Sequence, residues 1–171
     1  MRLCTFQSFE VATAIKNNSI YRADYSFPPP SASRTYYEWM ARQMESRGIS
    51  TDGHPPIWAW RPGGKIIRSP RISTARALLS DAELLHGVEI IEFAAPDYLV
   101  LLSSYSQWCD IYFEPASNLP TQSTPALFEV DVLNDNDDIQ ACVPYIRHEW
   151  VVDIRRLELK PGEVVDAQRC V

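Results

Sequence analysis

Alternating apolar and polar residues open the chain, and apolar residues at helical spacing follow them. Leu3 to Gln7 alternate and are rich in strand formers, so they predict a first β-strand. Ser8 is a preferred helix N-cap residue, and the apolar positions after it predict a short helix that ends at Asn17-Asn18. Residues 20–24 are expected to be extended. The prolines within 27–30 exclude regular structure there, because proline donates no backbone hydrogen bond.

The strongest amphipathic pattern covers residues 34–47 and predicts the longest helix. Its apolar residues share one helix face and its charged residues take the other, and the apolar set is Tyr36, Tyr37, Met40, Ala41 and Met44. Gly48 follows as the expected C-cap. Trp39 lies off the apolar face. We therefore expect Trp39 to contribute less to stability than Trp108, which falls on the inward face of a later helix.

Short apolar runs dominate the rest of the chain and predict six further strands, at 56–60, 88–93, 98–102, 128–133, 139–143 and 149–159. Trp58 and Trp60 are expected on the same side of their strand, and Trp150, Val152 and Ile154 on one side of the last. One short helix is expected after Ser80 and another after Ser103, and loops at 61–72 and 114–126.

The order of these elements places the chain in the α+β class. Helices come early and strands late, and the short connections between strands favour antiparallel pairing. We expect one domain over residues 1–171, with a mixed, mainly antiparallel β-sheet, continuous or split, and three to four short helices. A chain of 171 residues is long enough to bury a core of its own.

The net charge of the chain argues against nucleic acid as a general binding partner. The net charge is −6, so general nucleic-acid binding is not expected, because phosphate counterions are displaced by a cationic surface. A local basic group remains, formed by Lys65, Arg68, Arg71 and Arg76, and a solvated loop is its simpler explanation.

The cysteines and the apolar runs bear on metal binding and location. Cys4, Cys109, Cys142 and Cys170 have no CxxC spacing, and no cysteine or histidine falls at a metal-ligand spacing, so no metal is expected. No apolar run approaches the roughly 20 residues of a membrane span. We expect a cytoplasmic protein with reduced thiols that does not enter a membrane.

Candidate ligand-binding residues are polar side chains on strands, set among aromatic ones: Thr5, Gln7, Arg22, Tyr37, Trp58, Trp60, Arg61 and Gln140. Small-molecule pockets combine an aromatic wall with a few convergent polar groups. The tryptophan faces suit a nucleobase or a nicotinamide ring, and Arg22 or Arg61 could hold a phosphate. The alternative is that the tryptophans belong to the core and the arginines are solvated.

A family resemblance is carried by several short segments. They are Thr5-Phe6-Gln7, Tyr37-Glu38-Trp39-Met40, Pro56-Ile57-Trp58-Ala59-Trp60, Leu101-Leu102-Ser103 with Trp108, and Ile139-Gln140-Ala141 before Glu149-Trp150-Val151. In this set the chain resembles the bacterial family known as domain of unknown function 3841, over nearly its whole length. The resemblance implies a shared fold and a shared pocket rather than a particular reaction.

The order of motifs is also similar to that of mono-ADP-ribosyltransferases related to RNA 2′-phosphotransferase and to DNA-modifying toxins. Thr5 and Gln7 lie in the first strand, and Gln140, Pro144 and the segment from Glu149 to Ile154 imitate the close of those enzymes. The resemblance implies Gln140 and Arg22 as candidate catalytic residues and NAD as the candidate cofactor. Gln140 stands where those enzymes usually place a glutamate, and an amide cannot supply that negative charge.

Two classes of function follow from these observations. The first is binding of a nucleotide-like ligand in an aromatic cleft, with NAD-dependent ADP-ribosyl transfer as its catalytic form. The second is a non-catalytic protein-interaction module, such as a toxin–antitoxin or phage-defence accessory. A reader of modified nucleic acid with a PUA-like fold would also use tryptophans, but a charge of −6 disfavours it. The oligomeric state is left open.

Overall fold

The computed structural model describes residues 1–25, 31–62, 79, 81–113, 125–131 and 138–157. Several sequence predictions lie outside these residues. They are the proline segment 27–30, most of the 61–72 and 114–126 loops, the basic group 65–76, the Ser80 cap, the ends of the two strands expected to reach 133 and 159, and Cys170.

The predicted α+β class is confirmed. The main sheet has six strands, which are β1 (Arg2–Ser8), β3 (Ile57–Trp60), β4 (Val88–Ala94), β5 (Leu101–Ser104), β6 (Ile139–Val143) and β8 (Val151–Arg156). Their order in the sheet is β5-β6-β3-β1-β4-β8, and every pair of neighbours is antiparallel. A separate two-stranded sheet pairs β2 (Ile20–Tyr21) with β7 (Ile146–Arg147). The sheet is therefore split.

Within the described residues the helices number five, against three to four expected. They are α1 (Phe9–Asn17), α2 (Ser31–Glu45), α3 (Asp81–His86), α4 (Tyr105–Phe113) and α5 (Pro125–Phe128). Single 3₁₀ turns form at Asp97–Leu99 and His148–Trp150. The extra helix, α5, lies where the sequence predicted a loop and the start of a strand.

Short-range hydrogen bonds mark the start of α1 and the end of α2. The Ser8 hydroxyl caps α1 by accepting a hydrogen bond from the Val11 N–H at 3.4 Å, as predicted. After α2, the Ile49 N–H donates to the Met44 carbonyl and the Gly48 N–H to the Glu45 carbonyl, both at 3.0 Å. This pair of bonds is a Schellman motif, and Gly48 adopts the left-handed φ of 80° that it requires.

Two apolar clusters cover the two faces of the main sheet. On the first face, here called the α1 face, Leu3, Ala59, Ile91 and Ala141 pack against Ala12 and Ile15 of α1. On the second, the α2 face, Leu101 and Cys142 pack with Tyr36, Trp39, Met40 and Met44 of α2 and with Trp108 of α4. Successive strand residues alternate between faces. On the α2 side, Cys4 and Trp60 form a smaller cluster of their own with Phe6 and Tyr105.

The structure corrects three predictions made from the sequence. Residues 97–99 form a 3₁₀ turn, so the strand expected at 98–102 begins at Leu101. Ser103 lies inside β5 and does not cap α4, because Ser104 takes that place and accepts from the Gln107 N–H at 3.4 Å. In β8 the register with β4 shifts between Glu92 and Phe93, which leaves Val152 unpaired and exposed. This bulge breaks the stripe expected for Trp150, Val152 and Ile154.

Trp39 is more buried than its helical position suggested. Its side chain is 2% exposed and Trp108 is 6% exposed, and the two rings lie 6.0 Å apart. The prediction that Trp39 sits off the packed face is wrong, because helix α4 and Phe128 of α5 pack on the second side of α2. An apolar face inferred from one helix alone does not include such a neighbour.

Candidate functional site

A cross-strand row of side chains runs over the centre of the α2 face. Ser103 of β5 is opposite Gln140 of β6, Gln140 is opposite Trp60 of β3, and Trp60 is opposite Cys4 of β1. Directly opposed residues in antiparallel strands project to the same side of the sheet, about 5 Å apart. The row therefore joins two of the predicted site residues, Trp60 and Gln140, and adds Ser103.

Two oxygen atoms in this row are buried without hydrogen bonds. Gln140 is 5% exposed and Ser103 is 1% exposed. Within the described part of the chain, neither Gln140 Oε1 nor Ser103 Oγ has a hydrogen-bond partner. An unpaired buried polar group costs about 1–3 kcal/mol, so folded proteins rarely keep two side by side. Two such neighbouring oxygens mark a place where a further donor group would be stabilising.

A second polar pair extends the row by one step. The Tyr105 N–H donates to the Asp138 carbonyl at 3.0 Å, which continues the β5–β6 ladder beyond Ser104 and Ile139. Alternation along β6 places Asp138 on the same side of the sheet as Gln140. The contact of the Tyr105 ring with Trp60 places Tyr105 on that side as well. Asp138 is 8% exposed, so a carboxylate lies buried two residues from Gln140.

Tyr105 connects Asp138 to Trp60, the aromatic residue of the row. Its ring meets Trp60 edge to face, with centroids 4.9 Å apart. Burial raises the pKa of Tyr105 to about 12, and a hydrogen bond to Cys109 and the charges of Cys109 and Asp138 act in the same direction. The phenol is therefore protonated near neutral pH and can donate as well as accept a hydrogen bond.

Cys4, at the end of the row, is structural. Burial, with a smaller effect from the Glu92 charge, raises the pKa of its thiol to about 12. Only the thiolate is a strong nucleophile, and with this pKa Cys4 stays a neutral thiol near neutral pH. Cys4 therefore packs as a small apolar residue. Burial also raises the pKa of Cys142 well above its usual value. Both cysteines are fully buried and belong to the core.

Thr5 and Gln7 do not take part in this site. The Gln7 amide donates to Thr5 Oγ1 at 2.8 Å, and Thr5 Oγ1 donates to the Trp58 carbonyl at 2.7 Å. Both side chains project to the α1 face, because Cys4, which directly precedes Thr5, is opposite Trp60 on the α2 face, and side chains alternate along the strand. The expected convergence of Thr5 and Gln7 with Gln140 is therefore wrong, and their hydrogen bonds tie β1 to β3.

Trp58 lies on the same side of β3 as Trp60, as predicted, but its ring is part of the packing. It lies 4.8 Å from Trp108 and 5.7 Å from Tyr37, centroid to centroid. Tyr37 and Trp58 therefore support the α2 cluster.

The two predicted arginines also lie away from Gln140. Arg61 follows β3, and its N–H donates to the Ile139 carbonyl at 3.0 Å. Alternation directs its side chain to the side opposite Trp60. Arg22 pairs with Asp52 at 2.9 Å and lies 4.7 Å from the Tyr145 ring centroid.

The site built from the structure is thus Ser103, Tyr105, Asp138 and Gln140, with Trp60 as its wall. Sequence analysis identified Trp60 and Gln140 and missed the other three. Ser103 was expected to precede a helix, and neither Tyr105 nor Asp138 was among the candidate residues. Only the pairing of β5 with β6, which are 35 residues apart at Ser104 and Ile139, brings them together.

Comparisons with known proteins found no relative: no family model, no curated protein and no solved structure matches the chain. Among the described residues, no group of three or more histidine, cysteine, aspartate or glutamate side chains is arranged to hold a metal ion. No helix in that same part of the chain is long and apolar enough to cross a membrane.

Proposed function

We propose that the protein binds a nucleotide-like ligand on the α2 face, at Ser103, Asp138 and Gln140. The observation that carries the proposal is the unpaired Oε1 atom of the buried Gln140, beside the equally unpaired Ser103 Oγ. Ribose hydroxyls, exocyclic amino groups and a nicotinamide carboxamide all present O–H or N–H donors to such acceptors. Trp60 and Tyr105 offer aromatic surface beside them.

NAD is the first ligand to test, and Asp138 defines the catalytic form of the proposal. Transfer of ADP-ribose develops positive charge on the ribose, which a nearby carboxylate stabilises and an amide does not. Asp138 lies two residues before Gln140 and is buried on the same side of the sheet. In this form Asp138 supplies the charge and Gln140 binds the ribose or the carboxamide. Arg22, which contacts Asp52 and Tyr145, has no role at this site.

The test uses a matched pair of glutamine variants on opposite faces of the sheet. Gln140→Leu removes an oxygen that has no partner, so the variant should keep or gain stability and lose its response to NAD. Gln7→Leu removes the donor to Thr5 Oγ1, so that variant should lose stability and keep the response. Thermal shift and titration calorimetry with NAD, ADP-ribose and nicotinamide measure both properties.

One result would contradict the binding proposal, and another would contradict its catalytic form. A Gln140→Leu protein that binds these ligands as tightly as the wild type would contradict it. For the catalytic form, Asp138→Asn should abolish nicotinamide release from NAD while NAD binding persists. Equal release rates in the wild type and Asp138→Asn would leave only the binding function.

A protein-interaction module is the second candidate, and exposed apolar side chains support it. Phe9 at the start of α1 and Leu85 on α3 are large, apolar and exposed. Glu10 and His86, the residues next to them, approach to 3.9 Å, so the two apolar side chains occupy one region of the surface. If the wild type responds to none of the three ligands, this module becomes the better explanation.

A further inference from the structure

The small β2–β7 sheet has one face toward the core and one toward solvent. Tyr21 is opposite Ile146, and both pack in the α1 cluster. Ile20 is opposite Arg147, and the same register continued by one alternating step brings Arg22 opposite Tyr145. The solvent side, here called the β2–β7 face, therefore carries Arg22, Tyr145 and Arg147.

Both arginines on this face are held by aromatic rings. The guanidinium carbon of Arg22 lies 4.7 Å from the Tyr145 centroid, and that of Arg147 lies 5.9 Å from the same centroid. Trp150 stacks on Tyr145 with centroids 5.3 Å apart, and Arg147 is 5.9 Å from that ring as well. Stacking restricts the side chains, so less conformational entropy is lost when they bind a ligand.

Each arginine has one N–H donor that makes no hydrogen bond to the described residues. Arg22 pairs with Asp52 at 2.9 Å and Arg147 with Glu149 at 3.4 Å, and both carboxylates are mostly exposed. Of the donors that the structure describes, Arg22 Nη1 and Arg147 Nε are buried and without a hydrogen-bond partner. Unpaired N–H groups on charged side chains are costly, and ion pairs with exposed carboxylates add little stability.

A depression lies beyond the Arg147 end of this face, and neither Arg22 nor Arg147 is among its lining residues. It has a volume of about 250 Å³ and is lined by Lys16, Asn17, Asn18, Ser19, His148 and Glu149. The His148 N–H donates to the Ser19 carbonyl at 3.1 Å, so the depression lies at the end of the β2–β7 ladder, next to Arg147. Its volume is below the roughly 300 Å³ at which drug-sized pockets begin, and suits a phosphate or a sugar phosphate.

We propose that the β2–β7 face is a phosphate-binding site, in which Arg22 Nη1 and Arg147 Nε donate to the oxygens of one phosphate group. Guanidinium groups match phosphate in charge and in the geometry of their donors. The long side chains of Arg22 and Arg147 are 28% and 41% exposed, so neither arginine is closed off from solvent. The site does not depend on the ligand proposed for the α2 face.

Titration calorimetry and thermal shift with inorganic phosphate, AMP and adenosine test the site at constant ionic strength. Phosphate and AMP should bind the wild type and raise its melting temperature, and AMP should bind more tightly than adenosine. Arg22→Gln and Arg147→Gln should each weaken AMP binding about tenfold or more, since each removes a charge-assisted hydrogen bond. Arg34→Gln is the matched control, because Arg34 also pairs with an exposed carboxylate, Glu38, and lies 5.0 Å from a tyrosine ring, that of Tyr25.

Lysine variants keep the experiment informative if a glutamine variant fails to fold. Arg22→Lys and Arg147→Lys retain the charge but lose the planar fork, so AMP should bind them more weakly than the wild type. The proposal is overturned if phosphate and AMP do not bind the wild type, or if adenosine binds as well as AMP. It is also overturned if Arg34→Gln loses as much affinity as the two site variants.

Discussion

Thr5 and Gln140 lie on opposite faces of the six-stranded sheet, although both are buried polar residues of its inner strands. The pairing of Cys4 with Trp60, and of Trp60 with Gln140, places those three residues on the α2 face. Thr5 is next to Cys4 in sequence and therefore projects to the α1 face. The two polar groups belong to different cores and serve different purposes.

Thr5→Val should destabilise the protein without changing ligand binding. Valine keeps the shape of threonine but leaves the Gln7 amide and the Trp58 carbonyl without their partner, which should cost about 1–3 kcal/mol. Urea denaturation measures the loss, and thermal shift with NAD measures the ligand response. A Thr5→Val protein of normal stability with a lost NAD response would show that Thr5 acts at the ligand site after all.

Trp39→Ala and Trp108→Ala should destabilise the protein to a similar extent, about 3–5 kcal/mol each. Both side chains are nearly fully buried in one cluster, and their rings are in contact at 6.0 Å. The double variant should lose less than the total of the single losses, because each substitution removes part of the same packing. Denaturant titrations of the three variants decide this. A clearly smaller loss at Trp39 would restore the helical face that the sequence alone predicted.

Glu92→Gln should reduce stability at neutral pH by about 1–3 kcal/mol, and the reduction should disappear in acid. Hydrogen bonds from Arg155 at 2.6 Å, and from Arg2 at 2.9 Å, hold the pKa of Glu92 below its usual value of 4.5. A carboxyl with a lowered folded-state pKa contributes its full stability above the unfolded pKa, and loses it as the pH falls through the folded pKa.

The measurement is urea unfolding of the wild type and Glu92→Gln between neutral pH and pH values below 4.5. Glu38→Gln is the control, because Glu38 forms an exposed ion pair with Arg34 one helical turn away and should change stability little at any pH. A Glu92→Gln effect that stays constant down to the most acid pH would contradict the ionic origin of the stabilisation.

Gly48→Ala should cost about 1 kcal/mol through backbone conformation alone. Gly48 has a φ of 80°, and a Cβ at this position would meet no atom within 4 Å, so no steric clash contributes. Thermal and urea unfolding measure the change. If Gly48→Ala matches or exceeds the stability of the wild type, the left-handed turn at the end of α2 is not formed in solution.

Several local features follow from the sequence by itself because they depend on residues within one turn of each other. Ser8 caps α1 through the N–H three residues later, and Gly48 ends α2 through bonds that reach back no more than five residues. Trp58 and Trp60 share a side because a strand alternates. The α+β class follows from the order of the predicted helices and strands, whereas the antiparallel pairs of the main sheet join strands that are distant in sequence.

Tertiary structure decided how those elements face one another. Alternation predicted that Thr5 and Gln7 share a side, but not which core that side would enter, because the choice depends on the register of β1 with β3. The bulge at Val152 and the burial of Trp39 depend on β4 and α4, which are distant in sequence. Ser103, Asp138 and Gln140 met only when β5 paired with β6, since strand register is set by burying apolar residues across the whole sheet rather than by any short segment.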